Sequence, residues 1–237
     1  MPSGPLSFTI KICGVRTPED IDFCSDAGVD CVGLNFFPPS VRCIDVADAQ
    51  TAALVKRSIE HGLKRVGVFV NADLPTLRDI RQRCQLDAVQ LHGDETPEFA
   101  ADLLQNEISV VRAIRLPAGP LTIERIQMAI TPWRDLGVRL LFDADAGSQY
   151  GGSGQRLDVT TIGQWAGSLE ASSVAWSLAG GLKPENVEAA VRDSHASSVD
   201  VASGVEAPKG TKSPELIRQF ASSAAVAIRK NQAESPG

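Results

Sequence analysis

Short apolar runs and longer stretches with helical spacing alternate along this chain, and a capping or breaking residue marks each change. Phe8 to Ile12 reads as a strand. Thr17-Pro18-Glu19-Asp20 reads as a helix start, with a hydroxyl to cap, a proline at the first helical position and acids in the first turn. That helix runs to about Ala27 and stops at Gly28. The order then repeats: strand 31–35 and a helix from about Asp45 to His61, strand 65–70 and a helix from Leu74, strand 88–91 and a helix opening at Thr96-Pro97-Glu98, strand 108–114 and a helix over about 122–130. Leu140-Leu141-Phe142 is the sixth buried run, followed by a helix from about Asp158 to Trp165. Val174 to Leu178 and Ser198 to Val201 are the last two strands. Their helices start near Pro184-Glu185 and at Pro214, the second reaching about Lys230.

Eight strand-then-helix units with no linker between them predict an α/β fold, a single-domain (β/α)8 TIM barrel over residues 1–237, with about 7–230 structured and short polar ends. An open, doubly wound parallel sheet is the structural alternative. Composition fits a soluble globular chain: 43% hydrophobic and 22% charged over 237 residues. A net charge of -6 argues against nucleic-acid or anionic-membrane partners. No apolar run approaches the roughly 20 residues of a membrane span, and MPSGPLSF lacks the order of a secretory signal. Five scattered cysteines without a CxxC pair fit a reducing cytoplasm rather than a disulfide framework. The three histidines show no metal-ligand spacing. With no Walker pattern and no GxGxxG, a nucleotide cofactor is not supported. Oligomeric state is not legible.

In such a barrel, chemistry gathers where strands end and loops begin. Read in order, those positions hold Cys13-Gly14, Asn35, Asn71, Gln90 with His92, Arg115, Asp143, Gly180-Gly181, and Asp200 with Ser203-Gly204. Any one of them could be no more than a strand end meeting solvent; their convergence on one end of an apolar sheet points to a site. Glycine-bearing loops follow the sixth, seventh and eighth strands: Gly151 to Gly154, Gly180-Gly181 and Ser203-Gly204. Backbone N–H groups in such loops can hold a phosphate, so Gly152, Gly154, Gly180, Gly181, Ser203 and Gly204 are the candidate phosphate-binding residues. Asp143 can act as an acid if burial raises its pKa. Cys13 is either a core thiol or a base, and Lys11, two residues earlier on the same strand face, could assist it.

At these positions the chain resembles the phosphoribosylanthranilate isomerases of tryptophan biosynthesis. The shared runs are Lys11-Ile12-Cys13-Gly14, Val32-Gly33, Phe37-Pro38-x-Ser40-x-Arg42, Val66-Gly67-Val68-Phe69-Val70-Asn71, Val89-Gln90-Leu91-His92-Gly93, Leu141-Phe142-Asp143-Ala144, Tyr150-Gly151-Gly152-Ser153-Gly154, Ala179-Gly180-Gly181-Leu182, and Val199-Asp200-Val201-x-Ser203-Gly204-Val205-Glu206. The resemblance implies an Amadori rearrangement of N-(5-phosphoribosyl)anthranilate to 1-(2-carboxyphenylamino)-1-deoxyribulose 5-phosphate, without a cofactor. It implies Asp143 as general acid, Cys13 as general base, Arg42 facing the anthranilate carboxylate and Asp200 near the sugar hydroxyls. Lys11, Gln90 and His92 are expected beside them as substrate-binding residues.

Four positions depart from the family pattern: Cys43, where an aromatic usually follows the arginine; Ala179 and Ala202, where serine is common; and Ser213, where an aspartate is frequent. The nearest rival is a sugar-phosphate isomerase of histidine biosynthesis, which runs similar chemistry with two aspartates; Cys13 at the end of the first strand counts against it. From another class, a non-catalytic phosphoribosyl binder is the alternative, against which Cys13 and Asp143 both stand.

Overall fold

The computed structural model describes residues 4–144, 157–168 and 171–234. Eight parallel strands close on themselves in sequence order. They are β1 (Ile10–Cys13), β2 (Cys31–Asn35), β3 (Lys64–Phe69), β4 (Ala88–Leu91), β5 (Val110–Leu116), β6 (Arg139–Ala144), β7 (Trp176–Leu178) and β8 (Val199–Val201). Between and after them run α1 (Pro18–Asp26), α2 (Ala49–Glu60), α3 (Leu74–Cys84), α4 (Pro97–Gln105), α5 (Ile123–Ile130), α6 (Val159–Ala166), α7 (Val187–Ser194) and α8 (Pro214–Glu234). The closed barrel replaces the open-sheet alternative, because β1 pairs with β8 as well as with β2.

Alternation along the strands sorts side chains between two cores. Ile10, Ile12, Val32, Leu34, Val89 and Leu91 point outward into the large core shared with the helices. Cys31, Val66, Ala88, Val111 and Leu141 point inward, over Phe8, and fill the lower part of the barrel. Above that plug the same inward positions turn polar: Lys11, Cys13, Gln90 and Asp200 are all buried. The register places Lys11 of β1 beside Asp200 of β8.

Most helix starts follow the sequence signals. Thr17 and Asp20 form a reciprocal capping box on α1, and Thr96 and Thr122 cap α4 and α5. Two starts come later than the pattern predicts. The second helix begins at Ala49 because the side chain of Asp45 accepts the Ala47 N–H in a turn of its own, leaving Asp48 as the cap. The seventh begins at Val187, since Asn186 bridges the Lys183 N–H and the Gly181 carbonyl and holds the preceding turn open.

Candidate active site

A cavity of about 700 Å³, counting its open mouth, lies at the carboxyl ends of the strands. Its size falls within the ~300–1,000 Å³ range of small-molecule sites. Cys13, Arg42, Gln90, His92, Asp143, Gly180, Gly181, Asp200 and Ser203 line it, together with Asn35, Phe37, Ser40 and Leu182. Residues from β1, β4, β6 and β8 thus meet there although they span nearly the whole chain, as barrel closure requires.

Lys11 sits beneath the cavity rather than on its wall. It is fully buried at 0% exposure, with its Nζ 3.0 Å from Asp200 Oδ2 and 3.0 Å from Gln90 Oε1. Burial alone would lower the ammonium, but Asp200 together with the neighbouring sulfurs of Cys13 and Cys31 outweighs it, and Lys11 lies above its ordinary value. The Asp200 carboxyl is pushed up by burial against the pull of Lys11, and the short contact keeps the two as an ion pair. Asp200 Oδ1 is buried and has no hydrogen-bond partner among the described residues, and its side chain lines the cavity.

From Lys11 a line of contacts crosses the barrel. Gln90 Nε2 lies 2.9 Å from His92 Nδ1, and His92 Nε2 lies 3.3 Å from Asp143 Oδ2. The last contact is close enough for electrostatics but lacks hydrogen-bond alignment, so the buried Nε2 has no hydrogen bond among the described residues. Asp143 Oδ1 is occupied by the Ala144 N–H at 2.9 Å.

Cys13 is 8% exposed and faces the cavity from β1. Burial pushes its thiol above the ordinary value; Lys11 is the strongest group pulling it back, with Lys212 and Arg42 behind it. Gly33 on the neighbouring strand gives the sulfur its space, since a Cβ there would lie 2.8 Å from Sγ.

Arg42 reaches the cavity, but its fork is already engaged. Nε and Nη2 donate to the two carboxylate oxygens of Glu206 at 2.6 and 2.8 Å. Glu206 also accepts from Lys212 Nζ at 2.9 Å and from the Gly210 N–H at 2.8 Å. Burial would raise this carboxyl, yet the Arg42 hydrogen bonds and Lys212 hold it down to about 2. Neither Glu206 nor Lys212 was given a role on sequence grounds. The one signal available was that Glu206 ends the run shared with the family, and nothing local aims it at Arg42, 164 residues away.

The glycine loops divide. Gly180 has φ +79°, and a Cβ there would lie 2.6 Å from the Ala144 nitrogen; one at Gly204 would lie 1.9 Å from the Leu182 carbonyl oxygen. These two glycines therefore serve the close approach of neighbouring loops. Gly180, Gly181 and Ser203 also border the cavity, whereas Gly204 does not line it. Gly152 and Gly154 lie outside the described residues. Asn71 and Arg115, also strand-end positions, are not brought to the cavity: Asn71 accepts the Asp94 N–H and Arg115 pairs with the Asp94 side chain. Of the departures from the family pattern, Ala179 and Ala202 line the cavity, and Cys43 does not. Ser213 accepts the Leu216 N–H and so performs the capping task open to an aspartate at the start of α8. Among the described residues no cluster of His, Cys, Asp and Glu could hold a metal ion, and no helix is long and apolar enough to cross a membrane.

Comparison with known proteins gives one consistent answer. A curated N-(5'-phosphoribosyl)anthranilate isomerase from Neisseria gonorrhoeae is 39% identical over 214 residues, covering 90% of this chain and 95% of its own length. Among solved structures, a phosphoribosyl anthranilate isomerase from Thermotoga maritima superposes with a TM-score of 0.76 at 30% identity, covering 93% of this chain and all of its own. A second, at TM-score 0.73, 30% identity and the same coverage, is a phosphoribosyl anthranilate isomerase in complex with reduced 1-(o-carboxyphenylamino)-1-deoxyribulose 5-phosphate. A family model described as N-(5'phosphoribosyl)anthranilate (PRA) isomerase matches residues 10–223, nearly the whole barrel, and the chain belongs to that family.

Proposed function

We propose that this isomerase of tryptophan biosynthesis carries out its rearrangement with Asp143 as general acid and Cys13 as general base. The observation that carries the reading is that these two side chains, from β1 and β6, line one cavity beside the unpaired oxygen of Asp200. Asp143 protonates the ribose ring oxygen, and the C1–O bond breaks to leave a protonated Schiff base. The Cys13 thiolate then takes the proton from C2, and the electrons of that C–H bond pass to the imine. The resulting enol amine gains a proton at C1 and loses one from the C2 hydroxyl, giving the ketone. A thiol raised by burial is scarce as thiolate at neutral pH but is a stronger base once formed, and Lys11, Lys212 and Arg42 favour its formation.

Asp200 Oδ1 is suited to accept a hydroxyl of the sugar. Arg42, pinned by Glu206, presents its outer edge to the anthranilate carboxylate. Gly180, Gly181 and Ser203 form the phosphate side, Gly152 and Gly154 are assigned to phosphate on sequence grounds alone, and Lys11 supports Asp200 and Gln90 from below instead of touching substrate. The relative crystallised with a reduced form of the product supports a phosphorylated sugar-amine as the ligand. The test is loss of substrate fluorescence with purified protein: Cys13→Ala and Asp143→Ala should each lower turnover by about 10²–10⁴-fold. Unchanged rates in both would sink the assignment. Arg42→Ala should raise KM for substrate by about tenfold or more while leaving competitive inhibition by inorganic phosphate nearly unchanged; a parallel loss of both would move Arg42 to the phosphate.

A further inference from the structure

The line from Lys11 to Asp143 has a direction, and the direction is set by chemistry rather than by distance. A lysine ammonium has three hydrogens and no lone pair, so it can only donate. Lys11 Nζ lies 3.0 Å from the side-chain amide of Gln90, and both groups are buried in the barrel. Of the two ends of that amide, only the oxygen can face the ammonium; the reverse orientation would set donors against each other where no water can intervene. The amide nitrogen is therefore turned away, 2.9 Å from His92 Nδ1. A group with hydrogens to give meets that ring nitrogen, so Nδ1 must accept. A neutral imidazole with an accepting Nδ1 carries its hydrogen on Nε2. Nε2 is the buried, unpaired atom 3.3 Å from Asp143 Oδ2.

We propose that Lys11, acting through Gln90, fixes the tautomer of His92 so that its Nε2–H faces Asp143, making Lys11 and Gln90 positioning residues for the proton donor. The inference rests on the acid role proposed above for Asp143. When Asp143 gives its proton to the ring oxygen, a carboxylate forms opposite a hydrogen already pointed at it. No proton leaves His92; the Nε2–H contact strengthens as the negative charge develops. Stabilisation that grows along the reaction coordinate lowers the barrier, whereas equal stabilisation of both states would not. The poor alignment of the present contact fits this, since hydrogen bonds of this kind tighten only as the charge they serve appears.

The array makes an unusual prediction for one substitution. Gln90→Glu nearly preserves shape but removes the hydrogens that face Nδ1. The carboxylate can accept from Lys11 and from His92 at once, so Nδ1 should acquire the hydrogen and Nε2 should lose it. Gln90→Met removes both functions and leaves the tautomer unconstrained. ¹⁵N NMR of ring nitrogens reads this directly, because the chain has three histidines and His92→Asn identifies the signal. The wild type should show Nε2–H, Gln90→Glu the inverted tautomer and Gln90→Met a mixture. With circular dichroism showing an intact fold, kcat should fall about 10–100-fold in Gln90→Glu, with KM changing far less. Wild type carrying Nδ1–H, or Gln90→Glu keeping Nε2–H with no hydrogen on Nδ1, would overturn the relay. An inverted tautomer with unchanged kcat would overturn its part in the reaction. If instead Asp143→Asn retained wild-type turnover while His92 remained Nε2–H, the acid role of Asp143 would fall and the tautomer assignment would stand.

Discussion

The two ends of this barrel handle buried cations in opposite ways. At the lower end Arg139 is buried with Nε and Nη1 paired: Nε on the Leu6 carbonyl at 2.5 Å, Nη1 on the Trp176 carbonyl at 2.9 Å and on Ser177 Oγ at 3.0 Å, with the guanidinium 4.9 Å from the ring centre of Phe8. Ser177 is in turn paired with Ser198. At the upper end Lys11 is more deeply buried and well paired, but the groups it touches pass the polarity on, to Asp200 Oδ1 and His92 Nε2, which have no hydrogen-bond partner among the described residues. A buried polar atom without a partner costs about 1–3 kcal/mol. The lower end avoids that cost and the mouth carries it, which is what separates a plug from a binding site.

The largest effect should come from the unpaired end. Asp143→Asn keeps shape and removes the proton, so kcat should fall by about 10³-fold with little change in the thermal midpoint. A rate within tenfold of wild type would erase the functional half of the contrast. Next comes the paired corner of the mouth. Glu206→Gln leaves Arg42 and Lys212 without their shared anion and should destabilise the fold by about 3 kcal/mol in urea. Because the Glu206 carboxyl is held down to about 2, its contribution is complete above the ordinary glutamate range and is lost as pH falls towards that value. The gap between wild type and variant should therefore close in acid; a gap independent of pH would show that charge is not its source.

A smaller effect is expected below. Arg139→Met should cost about 1–3 kcal/mol of stability and leave kcat/KM unaltered, since no group it touches borders the cavity. Altered kinetics in that variant would mean that the two ends communicate. The smallest effect concerns the thiol. The base role proposed for Cys13 requires the thiolate, and burial raises the thiol, so kcat/KM should climb with pH and level off only above the ordinary thiol range. Lys212→Met removes a cation that favours the thiolate, and the rising limb should move to still higher pH. A limb that stays in place would remove Lys212 from the environment of Cys13.

Much of this was legible in the chain because barrels place function by topology. Once eight units are counted, Cys13, Gln90, Asp143 and Asp200 fall at strand ends without any knowledge of contacts. Alternation also puts Lys11 and Cys13 on one face, yet in a four-residue strand it says nothing about depth. Lys11 thus read as a substrate contact, although it lies one layer lower. Arg42 read only as a partner for the anthranilate carboxylate, because Glu206, which holds it, sits on a loop that only closure of the barrel brings near. The delayed starts of α2 and α7 have a local cause: Asp45 and Asn186 close turns with their own side chains before the helix begins. Such competition between neighbouring capping residues is decided by a few tenths of a kcal/mol, below what pattern alone resolves.

The pairing of Lys11 with Asp200 also bears on how the chain reaches this state. The two residues stand side by side across the seam where the first strand meets the last. Without β8 beside it, an ammonium on β1 has no carboxylate to accompany it into the interior, so burial of Lys11 and closure of the seam are thermodynamically coupled. The carboxylate that borders the site is thus also the one that makes a closed seam compatible with a buried charge.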